Sequence, residues 1–115
     1  MRGARKIVEP ESKKYELEAE LLSLLGQSTR LRLLAMLRDG ELCVCEIHPA
    51  MPEDQSVISR HLGKLRQMGI LESRREGVSV FYRIIEPGVF AILDLADEIL
   101  LSSRERQAEE ALRVL

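Results

Sequence analysis

The stretch whose reading decides the fold is "QSVISRHLGKLRQMGILESRREGVSVFYRI", residues 55–84. Its first half repeats apolar residues at helical spacing, and its second half alternates. At about 100° per residue, Val57, Ile58, Leu62, Leu65 and Met68 fall in one arc of roughly 140°. Gln55, Ser56, Ser59, Arg60, Lys64, Arg66 and Gln67 fall on the opposite side. The apolar arc has to pack on a body, so the polar arc faces out. Gly69 closes this helix. Beyond it, "ILES" and "VSVFYRI" flank "RREG", with alternation through Val78, Val80 and Tyr82. That pattern predicts a β-hairpin with Gly77 in the turn.

Upstream, residues 1–10 read as a mobile tail ending at Pro10. An amphipathic helix follows from about Glu11 to Leu25, stopped by Gly26. Ser28 is a candidate N-cap for "TRLRLLAMLRDG", whose Leu31, Leu33, Leu34, Met36 and Leu37 recur at helical spacing. A short helix is expected from about Glu41 to Ala50. Pro52 then breaks the pattern, and Asp54 can cap the helix of residues 55–68. Downstream, Pro87 starts a long last amphipathic helix. The expected fold is mainly α with a small β-hairpin, in the order α-α-α-α-β-β-α, as one domain over residues 11–115. This is the plan of a winged helix-turn-helix, in which the helix before the hairpin enters the major groove and the hairpin is the wing.

The totals agree with a single domain. The chain has 115 residues, 45% of them hydrophobic, with 3% aromatics and no Trp, so the core must be Leu, Ile and Val. No apolar run reaches the roughly 20 residues of a membrane span. The basic start has no apolar stretch behind it, unlike a secretory signal. A cytoplasmic location is expected, where thiols stay reduced. The net charge of −2 conceals segregation. Residues 1–38 carry +3, residues 39–54 carry −5, residues 55–85 carry +4 and residues 86–115 carry −4. The basic block thus coincides with the helix and hairpin, and local basicity is what makes a phosphate-binding face.

On that block Gln55, Ser56 and Ser59 can read base edges, while Arg60 and Lys64 can bind phosphate. Arg74 and Arg75 sit beside the hairpin turn, where arginines reach phosphates or the minor groove. His61 lies by angle within the apolar arc, which reads as a packed, hydrogen-bonded histidine. No Gly-rich phosphate loop, paired acid and base carboxylates, or nucleophile with a base partner is visible, so an enzyme is not expected.

The chain's only two cysteines, Cys43 and Cys45, lie in "ELCVCEIH", residues 41–48, with His48 three positions on. They read as buried small side chains, as a disulfide or as a ligand set. On a regular helix positions i and i+2 point about 200° apart. One ion could then take both sulfurs only by distorting the turn, and the same divergence weighs against a Cys43–Cys45 disulfide.

From about Leu21 to Ile84 the sequence resembles the ArsR/SmtB family of metal-responsive repressors. "STRLRLLAMLRDGELCVCEI" and the pattern "SRHLGKLRQMGIL" followed by "REG" carry the likeness. "ELCVCE" resembles the inducer site of the arsenic-responsive branch. The resemblance implies a homodimer joined through the first and last helices, which binds double-stranded operator DNA until a thiophilic ion arrives. It implies DNA contacts at Ser56, Ser59 and His61. It also implies As(III) or Sb(III) as inducer at Cys43 and Cys45, with no organic cofactor. The sequence departs from the pattern at His48, where arsenic-responsive relatives often have a third cysteine. His48 is then a third ligand or a surface residue. Bending of the short helix by the ion is the expected route to the DNA-reading helix. The alternatives are a winged-helix repressor that senses oxidation or Cd, Pb, Zn or Cu(I), and an ion-binding carrier.

Overall fold

The structure is a computed structural model that describes residues 12–114, so the expected tail over residues 1–10 lies outside the described residues. Helix α1 spans Ser12–Leu25 and α2 spans Ser28–Leu37. Gln27, not Ser28, is the residue before the first helical position of α2, and it caps without a side-chain hydrogen bond. Next come β1 (Leu42–Cys43), α3 (Val44–Ile47) and a 3-10 turn (His48–Ala50). Helix α4 spans Gln55–Gln67, with Asp54 in the N-cap position. The hairpin is β2 (Leu71–Glu76) and β3 (Ser79–Ile84), and α5 spans Gly88–Val114.

The single short helix expected over residues 41–50 is therefore three pieces. Leu42 and Cys43 are extended and pair antiparallel with Tyr82 and Phe81 of β3. The sheet has three strands in the order β1-β3-β2 rather than two. In the hairpin, Glu76 pairs with Ser79 across the turn. Gly77 there has φ of 61°, a conformation side chains with a Cβ rarely adopt.

The core sits where α2, α3 and α4 meet the sheet. Leu33, Leu34, Ile47, Ile58, Leu62 and Leu65 are 0% exposed. Each such side chain stabilises the fold by about 1.5–3 kcal/mol through burial alone. The arc drawn for α4 holds at Ile58, Leu62 and Leu65, which are buried. Met68 departs from it and is 43% exposed, because the helix ends at Gln67 and the chain turns away. Helix α5 docks only by its start. Val89 is buried, Ile92 and Leu93 pack on the core, and Arg38, the C-cap of α2, holds Asp94 with two 2.8 Å contacts. Beyond that, Leu95, Ile99, Leu100 and Leu101 are exposed.

Candidate DNA interface and cysteine site

Packing of Ile58, Leu62 and Leu65 inward turns the other side of α4 to solvent. Gln55, Ser56, Ser59, Arg60 and Lys64 are all exposed there. The structure thus gathers these five expected residues on one face. Of the hairpin pair, Arg75 forms no hydrogen bond or ion pair among the described residues. Arg74 is held otherwise: its Nε and Nη2 donate to Glu41 at 2.6–3.0 Å and its Nη1 donates to Glu76 at 2.7 Å. Its guanidinium also lies 4.3 Å from the centre of the Phe81 ring.

His61 is half-buried at the back of this face. Arg30 Nε donates to His61 Nδ1 at 3.0 Å, and Arg30 Nη1 donates to the Leu24 carbonyl at 2.8 Å. The imidazole is therefore the neutral tautomer with its proton on Nε2. Burial, and then the positive charges of Arg30 and Arg60, hold its pKa below the ordinary 6.5, against a smaller opposing pull from Glu53. Arg30 is only 8% exposed and was not singled out by the sequence pattern. An arginine on a polar-looking helix position carries no signal that it spans α1, α2 and α4. Glu53, which accepts from Thr29 Oγ1 at 3.0 Å, was missed for the same reason.

The expected divergence of Cys43 and Cys45 does not hold. It assumed that both lie on one regular helix. Instead Cys43 is the N-cap of α3, extended at φ −77° and ψ 147°, and only Cys45 is helical. The Cα atoms are 5.0 Å apart and the two sulfurs are bonded as a disulfide. The turn around them is well capped: Cys45 N donates to Cys43 Sγ at 3.0 Å, and Cys43 N donates to Glu46 Oε1 at 3.0 Å. The cysteines therefore converge without any unwinding of α3. Cys43 is 2% exposed and Cys45 is open to solvent.

Above the pair lies a cavity of about 410 Å³. Cys43, Cys45 and His48 form one wall, Gln55 and Ser59 of α4 a second, and Val78, Val80 and Tyr82 of the hairpin a third. His48 thus faces the same space as the sulfurs. Among the described residues, however, no three His, Cys, Asp or Glu side chains are gathered closely enough to hold an ion.

Residues 27–73 match the model of the bacterial regulatory protein arsR family. An uncharacterised HTH-type transcriptional regulator of Methanocaldococcus jannaschii is 40% identical over 75% of this chain and 98% of its own length. The arsenic resistance transcriptional regulator ArsR2 of Pseudomonas putida is 34% identical over 83% of this chain and 84% of its own length. The chain belongs to the arsR family. Among solved structures, the AntR antimony-specific transcriptional repressor superposes with a TM-score of 0.72 at 30% identity, covering 90% of this chain and 92% of that one. The arsR-family chain described here is thus a winged-helix transcriptional regulator and not an enzyme. None of its described helices is long and apolar enough to cross a membrane.

Proposed function

We propose that this arsR-family protein is a cytoplasmic, homodimeric repressor that releases its operator when As(III) or Sb(III) binds reduced Cys43 and Cys45. The observation that carries this reading is the shared cavity. Cys43, Cys45 and His48 line the same space as Gln55 and Ser59, which belong to the exposed polar face of α4. Residue types fit the inducer: two converging thiols are soft donors, and such an ion supplies strong bonds to thiolate sulfur. Relatives named for arsenic resistance and for antimony support the same class. The third donor is His48 after a side-chain rotation, a small thiol or water.

In this reading Gln55, Ser56 and Ser59 read base edges, and Arg60, Lys64 and Arg75 bind phosphate. His61 orients α4 through Arg30 and presents Nε2–H outward. The exposed apolar faces of α1 and α5 join two protomers, which places two α4 helices on successive major grooves about one helical turn apart. Coupling needs no helix unwinding. Binding at Cys43 and Cys45 displaces residues that line the same cavity, and Ile47 transmits the change to Ile58 and Leu62 through the core.

A mobility-shift titration with a duplex from the promoter of its own gene tests this. Arsenite should dissociate the reduced wild type and leave Cys43→Ser and Cys45→Ser bound. Release of both serine variants would rule out a site made of this pair. His48→Ala, run alongside, should shift the arsenite midpoint only if the imidazole completes the site.

The bonded sulfurs favour a second reading, oxidation sensing. Two thiols would give two electrons and two protons to an oxidant and close the bridge, with exposed Cys45 meeting the oxidant first. In the same assay such a sensor loses DNA on diamide treatment and regains it with excess dithiothreitol.

A further inference from the structure

Arg74 stands where a wing arginine would meet DNA, yet each of its three nitrogens already donates to a carboxylate. Both oxygens of Glu41 lie on its Nε and Nη2 edge, Glu76 takes Nη1, and Phe81 covers one face of the guanidinium. One arginine between two carboxylates leaves the trio with a formal charge of −1, so the Arg74 cation is already neutralised within the wing. The hydrogen bonds to Glu41 and Glu76 push the Arg74 pKa up, and the bond to Arg74 pulls that of Glu41 down.

The placement of the cluster is as telling as its charge. Across the sheet, Arg74 of β2 is registered with Phe81 of β3, and Phe81 is registered with Cys43 of β1. Glu41 immediately precedes β1. The Arg74–Glu41 bridge therefore spans all three strands and ties the distant edge of the wing to the segment that carries the cysteines. β1 pairs only with β3, so among the described residues this bridge ties the segment at Glu41 to β2 across the intervening strand.

We propose that Arg74 is a positioning residue: clamped by Glu41 and stacked on Phe81, it sets the wing's angle against the cysteine-bearing strand and makes no phosphate contact. Arg75, next in sequence and without a side-chain partner among the described residues, is then the wing's phosphate-seeking cation. The inference rests on the DNA-binding reading of α4 and the wing, but not on the inducer.

Salt dependence separates a strut from a contact. Each lost phosphate contact lowers the slope of log affinity against log salt by about 0.9, whereas a misplaced wing weakens binding without that change. The test is fluorescence-anisotropy titration of the promoter duplex over a series of KCl concentrations. The proteins are the wild type, Glu41→Gln, Arg74→Gln and the exchange Glu41→Arg with Arg74→Glu. Wild-type binding tests the functional reading, and differences among variants test this inference. The strut predicts that both single variants bind about three- to tenfold more weakly with an unchanged slope, and that the exchange restores most of the loss. Tighter binding by Glu41→Gln, which frees Arg74, would overturn it. So would a shallower slope for Arg74→Gln, or single variants that bind like the wild type. Glu41→Gln keeps the test decisive even if Arg74→Gln fails to fold, since it leaves the arginine in place.

Discussion

At the scale of single residues, Arg30 shows how one buried cation can fix the pose of a reading helix. Its two hydrogen bonds close a carbonyl near the end of α1 and hold the ring of His61 on α4. The last carbonyls of a helix have no partner within it, so Leu24 needs such a donor. Replacing Arg30 by Met should cost about 1–3 kcal/mol by leaving these two acceptors without donors. Protonation of His61 does related damage, because Nδ1 then has no lone pair for Arg30 and the two cations repel. The folded pKa of His61 lies below its ordinary value of 6.5. The contribution is therefore complete above about pH 6.5, falls away as pH drops below it, and levels off below the folded value. Urea denaturation of the described fold between pH 5 and 8 should show this loss in the wild type and a flatter profile in His61→Gln. Equal profiles would mean that the imidazole does not link folding to protons. The charged groups that act on the ring are Arg30, Arg60 and Glu53.

At the scale of elements, the parts long enough to show a period were legible and the shortest were not. Helix α4 and the hairpin follow from apolar spacing, since three turns or six alternating residues repeat the signal. Strand β1 has two residues, so no alternation exists to be seen, and its partner Phe81 lies far along the chain. Helix α3 has four residues, and its cap is a cysteine rather than the usual Ser, Thr, Asp or Asn. Treating residues 41–50 as one helix moved Cys43 from an extended cap to a helical position and so turned its sulfur the wrong way. The α3 element also carries Ile47, which is 0% exposed between the cysteines and α4. Ile47→Ala should cost about 2–5 kcal/mol, measured by urea denaturation. It should also blunt arsenite-driven release, because the link between the site and Ile58 is cut back.

At the scale of the whole molecule, the first residues of α5 belong to the core, and the rest lie largely exposed among the described residues. A helix of 27 residues is about 40 Å long, and Leu95, Ile99 and Leu100 are each more than half exposed along it. With Leu17 and Leu22 of α1 they form more apolar surface than a lone protomer should leave in water. In the proposed dimer, Ile99→Glu should shift the protein to monomer in sedimentation experiments and weaken operator binding by at least about tenfold, because two half-sites no longer act together. An unchanged sedimentation coefficient would place the dimer surface elsewhere.

The cavity between the cysteines and the reading helix has a thermodynamic corollary. Under the proposed induction, linkage is reciprocal, so whatever factor metalloid uptake takes from operator affinity, the operator takes from metalloid affinity. Repressor seated on its promoter is then a poorer detector than repressor free in the cell. The dose needed for half-induction accordingly climbs with the number of operator copies, a threshold set by the genome as well as by the two sulfurs.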